Sequence, residues 1–136
     1  MPNKKTRVLS QEEYYLVIDT IRTGFTTHKR VRIKPNKKVL AAIVLQANLG
    51  LRISDVMSLK LSDIVKDGTR YRLDITEQKT GKKREFTVPY EVYSYIQGYI
   101  LDMGIKANQP LFDISIRAVQ KHLRIVVEYL GLEGIG

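Results

Sequence analysis

The chain has 136 residues, room for one domain with a modest core and too few for two, and it has no cysteine, which excludes disulfides and Cys-type zinc sites. Its only histidines are His28 and His122, so no metal centre is expected. No apolar run is long enough to span a bilayer, and the polar residues 1–7 give no reason to expect a signal peptide, which makes the cytoplasm the simplest compartment. Lys and Arg number 23 against 14 Asp and Glu, a net charge of +9.

The placement of that charge says more than its size. From Thr20 to Ser54 there is no Asp or Glu, while Arg22, Lys29, Arg30, Arg32, Lys34, Lys37, Lys38 and Arg52 fall in the same stretch. Such a one-signed surface attracts polyanions and gives salt-sensitive binding. The plainer alternative is a solvated loop that aids solubility. A membrane-surface role is not favoured, because the basic residues cluster around Pro35 and Asn36 without an amphipathic helical register.

In chain order, Ser10-Gln11-Glu12-Glu13 fits a capping box and predicts a first helix to about Arg22, with Tyr14, Val17, Ile18 and Ile21 at helical spacing. Residues 24–36 read as a basic loop. The run KKVLAAIVLQANLG (37–50) predicts a helix apolar on most sides and therefore central to the core, ended by Gly50. Ser54 is expected to cap a short helix to about Leu59, with Asp55 in its first turn.

The alternating segments RYRLDIT (70–76) and REFTV (84–88) predict strands of a small antiparallel sheet of two or three strands. A Lys66-Asp67-Gly68 turn precedes the first of them, and QKTGKK (78–83) forms the hairpin tip. Pro89 suits the first position of a helix through Met103. A loop containing Asn108 and Pro110 leads to a last helix, from about Ser115 to Leu130. That helix buries Val119, Leu123, Val126, Val127 and Leu130 and carries Arg117, Gln120, Lys121 and Arg124 on its polar side. The expected fold class is α+β, mainly helical, with helices around the small sheet.

Arg52 is the oddity of the pattern. It follows an apolar run directly and is followed by Ser54-Asp55 and another apolar run; an arginine in such a place needs an anionic partner. A salt bridge with Asp55 or Asp63 is one answer.

Two segments point to another. GLRISDVMSLKLSDI (50–64) resembles the first signature of the tyrosine recombinases, the phage-integrase family. EQKTGKKREFTVP (77–89) is similar to that family's β-hairpin, whose tip carries an active-site lysine ahead of a strand ending in Val/Leu-Pro. The resemblance covers nearly the whole chain and implies the family's catalytic-domain fold. It implies that Arg52 holds non-bridging oxygens of the scissile DNA phosphate, where a planar fork of donors stabilises developing charge. It also implies that Asp55 orients the cationic groups, and that Lys79 protonates the leaving 5′ oxygen. Lys82 remains a second candidate for that role. Lys82, Lys83 and Arg84 crowd Lys79 with positive charge or grip adjacent phosphates; the bland reading of the tip is a solvated basic turn. Arg117, Gln120, Lys121 and Arg124 are expected to meet the duplex on phosphates, with base readout open to Arg117 or Gln120, and Lys29 and Arg30 are further DNA-binding candidates.

The family pattern also calls for a His-x-x-Arg box, a further His or Trp, and a nucleophilic tyrosine after the last helix, and none is present before Gly136. His122-Leu123-Arg124 has the wrong spacing, and the eight tyrosines read as core and helix-face residues. Residues 1–136 are thus expected to be a partial catalytic domain, ending before its C-terminal helices and without a preceding core-binding domain. The resemblance implies metal-free, cofactor-free strand exchange on double-stranded DNA by a tetrameric whole enzyme. The chain itself is expected to be monomeric and inactive in cleavage. The alternative is a non-catalytic DNA-binding module or regulator derived from an integrase.

Overall fold

The computed structural model describes residues 9–132. They form α1 (Gln11–Thr23), β1 (Phe25–Thr26), β2 (Arg32–Ile33), α2 (Lys37–Leu49), α3 (Ile53–Met57), β3 (Ile64–Asp67), β4 (Arg70–Thr76), β5 (Lys83–Val88), α4 (Tyr90–Met103) and α5 (Ile116–Leu130). The chain divides into two compact units, one made of residues up to Leu40 with those from Arg117 on, the other of Ala41–Ile116.

In the first unit, α1 starts at the expected capping box: the Glu13 N–H donates to Ser10 Oγ at 3.2 Å and the Ser10 N–H to Glu13 Oε1 at 2.9 Å. Val17, Ile18 and Ile21 are its buried face. Gly24 ends the helix at φ 73, where a Cβ would stand 2.6 Å from the Ile33 carbonyl oxygen, so both backbone angle and space demand glycine. The basic loop expected over residues 24–36 is in part a hairpin. β1 and β2 pair antiparallel with Phe25 opposite Ile33, and Phe25 meets the Tyr129 ring of α5 at 4.4 Å between centroids. On α5, Val119, Val126 and Val127 are buried, while Leu123 and Leu130 are only partly so.

The second unit is built on a three-stranded antiparallel sheet in the order β3-β4-β5. The strand β3 adds to the two expected from alternation, and its Asp67 pairs with Arg70 across a tight turn in which Gly68 sits at φ 64. β4 and β5 run in register from Tyr71↔Val88 to Thr76↔Lys83, which leaves residues 77–82 as the tip. Leu73 and Val88 bury one face of the sheet, and Tyr71 stacks on Tyr93 of α4 with centroids 3.6 Å apart. Pro89 is the N-cap of α4 rather than its first residue, with the extended ψ of 146 that precedes a helix. Of α2, this unit holds the buried Ala41, Ala42, Ile43, Leu45 and Leu49, as a helix apolar on most sides requires; Val39 and Leu40, also buried, belong to the first unit. The Leu111 N–H donates to the Leu59 carbonyl at 2.9 Å, and the Tyr99 hydroxyl donates to the Leu111 carbonyl at 2.9 Å, so α4 braces the segment that follows α3.

Among the described residues no helix is long and apolar enough to cross a membrane.

Candidate phosphate-binding site

The start of α3 sets the site. Gly50, at φ 64, closes α2, and only a short connection separates the helices. The expected Ser54 cap is corrected here: Arg52 occupies the N-cap position, extended at φ −66 and ψ 149, and its carbonyl accepts from the Asp55 and Val56 N–H groups. So short a connection forces the turn into α3 before Ser54, whose carbonyl instead accepts from Ser58 Oγ at 2.7 Å. The Arg52 side chain is exposed and, among the described residues, forms no ion pair with Asp55 or Asp63. Asp63 instead accepts from the Lys60 N–H at 2.9 Å.

Asp55, one turn into α3, is 4% exposed. Burying a carboxylate is costly unless donors meet its oxygens. Oδ1 accepts the Gln78 backbone N–H at 3.0 Å, whereas Oδ2 is buried with no hydrogen-bond partner. Gln78 also donates its side-chain Nε2 to Ser58 Oγ. The hairpin tip is therefore fastened to α3 through residues 23 and 20 positions apart in sequence, which brings the two sequence motifs into one place. Lys79 directly follows the fastened Gln78 and is exposed.

The tip is internally braced around Glu77. Its N–H donates to the Lys82 carbonyl at 2.8 Å, and its own carbonyl accepts from the Gly81 N–H at 2.8 Å. Its carboxylate accepts from Thr80 Oγ1 at 2.8 Å and from Arg84 Nη1 at 3.3 Å. The Thr80 hydrogen bond, with Arg84 and the positive charge of Arg52 adding to it, holds the Glu77 carboxyl below its ordinary range. Lys82 and Lys83 are exposed; Arg84 is partly buried, engaged with Glu77 and set over the Phe86 ring. A groove of about 640 Å³ opens beside these groups, lined by Asp55, Ser58, Lys60, Thr76, Lys83 and Arg84 among others.

The second unit thus gathers Arg52, Asp55, Lys79, Lys82, Lys83 and Arg84 of the expected site. The remaining candidates belong to the first unit, where Lys29 and Arg30 stand exposed at the β1–β2 turn and Arg117, Gln120, Lys121 and Arg124 are exposed along α5. Sequence reasoning missed Ser58, Glu77 and Gln78. The spacing of Glu77 and Thr80 about a tight turn was the one signal available for the Glu77 brace.

No protein-family model matches the chain. A curated protein of Bacillus subtilis (strain 168), described as probable integrase/recombinase YoeC, is 31% identical over 115 residues, which cover 79% of the chain and 61% of that relative. Among solved structures, the XerH site-specific recombinase bound to palindromic difH substrate in a post-cleavage complex superposes with a TM-score of 0.68 at 18% identity, covering 98% of the chain and 38% of XerH. The XerA recombinase superposes with a TM-score of 0.64 at 17% identity, covering 100% of the chain and 46% of XerA. The chain therefore spans about 61% of the curated relative's length and less than half of these solved chains. At such identities the solved structures establish the fold, helices about small antiparallel sheets.

Proposed function

We propose that the chain is a member of the tyrosine recombinase family and supplies the phosphate-binding and proton-donating part of a site-specific DNA recombinase. The observation that carries this reading is the bond between Asp55 and Gln78, because it sets the Arg52 turn and the Lys79 tip side by side. Arg52, exposed and free of Asp55 and Asp63, takes the non-bridging oxygens of the scissile phosphate through its guanidinium fork. In the reaction a tyrosine oxygen attacks phosphorus, a 3′-phosphotyrosine forms, and the 5′ oxygen departs with a proton from Lys79. A 5′-hydroxyl from another strand then reverses the step and releases the tyrosine. The energy of the broken bond is kept in the phosphotyrosine, so the chemistry needs no nucleotide cofactor.

Lys79 is preferred to Lys82 because its backbone adjoins the residue held by α3, whereas Lys82 lies at the neck of the tip, opposite Glu77. The attacking tyrosine is assigned to none of the chain's eight. Tyr99 is engaged with the Leu111 carbonyl, Tyr71 and Tyr93 with each other, and Tyr129 with Phe25 and His28. XerH is described as bound to its difH substrate; by analogy, double-stranded DNA is the partner proposed here. Lys83, Lys29, Arg30, Arg117, Lys121 and Arg124 are placed on its phosphates, and Gln120 is at hand for a base edge.

The test is a duplex with a nick placed to trap the covalent intermediate, offered to the protein encoded by the complete reading frame. Arg52→Ala should lower covalent complex by about 10²–10³-fold, the scale of losing one transition-state donor set, with duplex binding reduced far less. The second reading, a DNA-binding module without catalysis, draws on the exposed cationic side of α5. It predicts no covalent complex from the wild type, and binding as sensitive to Lys38→Ala as to Arg52→Ala.

A further inference from the structure

We propose that Ser58 and Gln78 are positioning residues, a clasp that fixes the hairpin tip on α3 and thereby sets where Lys79 stands; this rests on the assignment of Lys79 above. The tip is a braced loop, held within itself by the Glu77–Lys82 and Gly81–Glu77 backbone bonds and by Thr80 and Arg84 on the Glu77 carboxylate. Among the described residues, the hydrogen bonds that leave this loop for α3 and its C-cap are both made by Gln78, one from its backbone to Asp55 Oδ1 and one from its side chain to Ser58 Oγ. Rooted in the β4–β5 ladder and stiff in itself, the loop takes its placement against α3 from the one residue tied to it.

The chemistry at Ser58 makes the second bond selective. Its hydroxyl proton is already committed to the Ser54 carbonyl at 2.7 Å, so the oxygen has only lone pairs to offer and requires a donor from Gln78. The Ser54–Ser58–Gln78 chain therefore passes from the α3 backbone to the tip with each donor and acceptor used once. Lys79 is the next residue. Its long side chain has many rotamers, and a fixed backbone at its root reduces the freedom lost when the ammonium meets a phosphate.

The experiment uses the chain with a duplex of about three helical turns and arbitrary sequence at low salt, and reads two things by mass spectrometry: amine acetylation of Lys79 and hydrogen exchange at the Gln78 amide. Wild-type Lys79 should be shielded by the duplex more than Lys66 is; equal shielding would sink the parent assignment of Lys79 and not the clasp. Ser58→Ala and Gln78→Ala should each speed exchange at residue 78 and weaken the shielding of Lys79 by about fivefold, the factor of one hydrogen bond. Duplex affinity should change by less than about twofold, since neither side chain is a cation. Ser58→Thr keeps the hydroxyl and should restore both readouts. Exchange at residue 78 unchanged in both alanine variants, or Ser58→Thr behaving like Ser58→Ala, overturns the clasp.

Discussion

His122 sits on α5 with its Nε2 buried and without a hydrogen-bond partner among the described residues, and burial pushes its imidazole below the ordinary 6.5. As pH falls, the unfolded chain takes up this proton first. The stability linked to the neutral ring is therefore complete above about pH 6.5 and is lost as pH falls from there through the folded value. The melting temperature should drop as pH falls below about 6.5, and His122→Leu should flatten that drop while costing little above it, because it removes an unsatisfied nitrogen along with the ring. Scanning calorimetry across this range decides it; an unchanged slope in the variant would place the titration elsewhere. The same scale shows why parts of the candidate site were readable and parts were not. Arg52 and Lys79 stand in recurrent motifs. Ser58 and Gln78 are ordinary polar residues whose hydrogen bond spans 20 positions, and a local pattern carries no trace of that.

Helices were legible where termination chemistry is local: Ser10 with Glu13 at the start of α1, Gly50 after α2, Pro89 before α4. The start of α3 was not, because the length of its connection to α2 overrode the better capping residue. The hairpin β1–β2 was not legible either, since two-residue strands have no room to alternate. Its turn is made by Thr27, whose N–H donates to the Val31 carbonyl at 2.8 Å and whose Oγ1 accepts from the Val31 N–H at 3.1 Å. The turn leaves Arg30 at φ 63, the one non-glycine residue with positive φ among those described. Keeping a side chain there costs about 1–2 kcal/mol, and an observed strain of this kind invites a functional reason. Arg30→Gly should be more stable than Arg30→Ala by about 1 kcal/mol, while both weaken duplex binding alike because both remove the cation. Urea unfolding and duplex titration of the two variants separate backbone strain from charge, and a binding loss confined to Arg30→Gly would assign Arg30 a role in turn geometry instead.

For the whole molecule, the formal charge of +9 is legible at once, but not which of the 23 cations a polyanion would meet. Arg72 is bound to Asp74 at 2.8 Å with Asp67 and Glu85 beside it, Arg84 to Glu77 and Arg22 to Asp19, so part of the positive charge is neutralised within the fold. Sequence counts every cation equally; the pairing that sorts them is tertiary. The salt dependence of duplex binding resolves this sorting, because the slope of log K against log salt falls by about 0.9 for each phosphate the protein no longer neutralises. Replacing Arg117, Lys121 and Arg124 together by Gln should reduce the slope by about 2.7. Arg72→Gln should leave it nearly unchanged, since that guanidinium is already answered by carboxylates. If the α5 triple variant kept the wild-type slope, that helix would be an amphipathic wall of its unit with a solvated face, and the phosphate contacts would have to come from other cations.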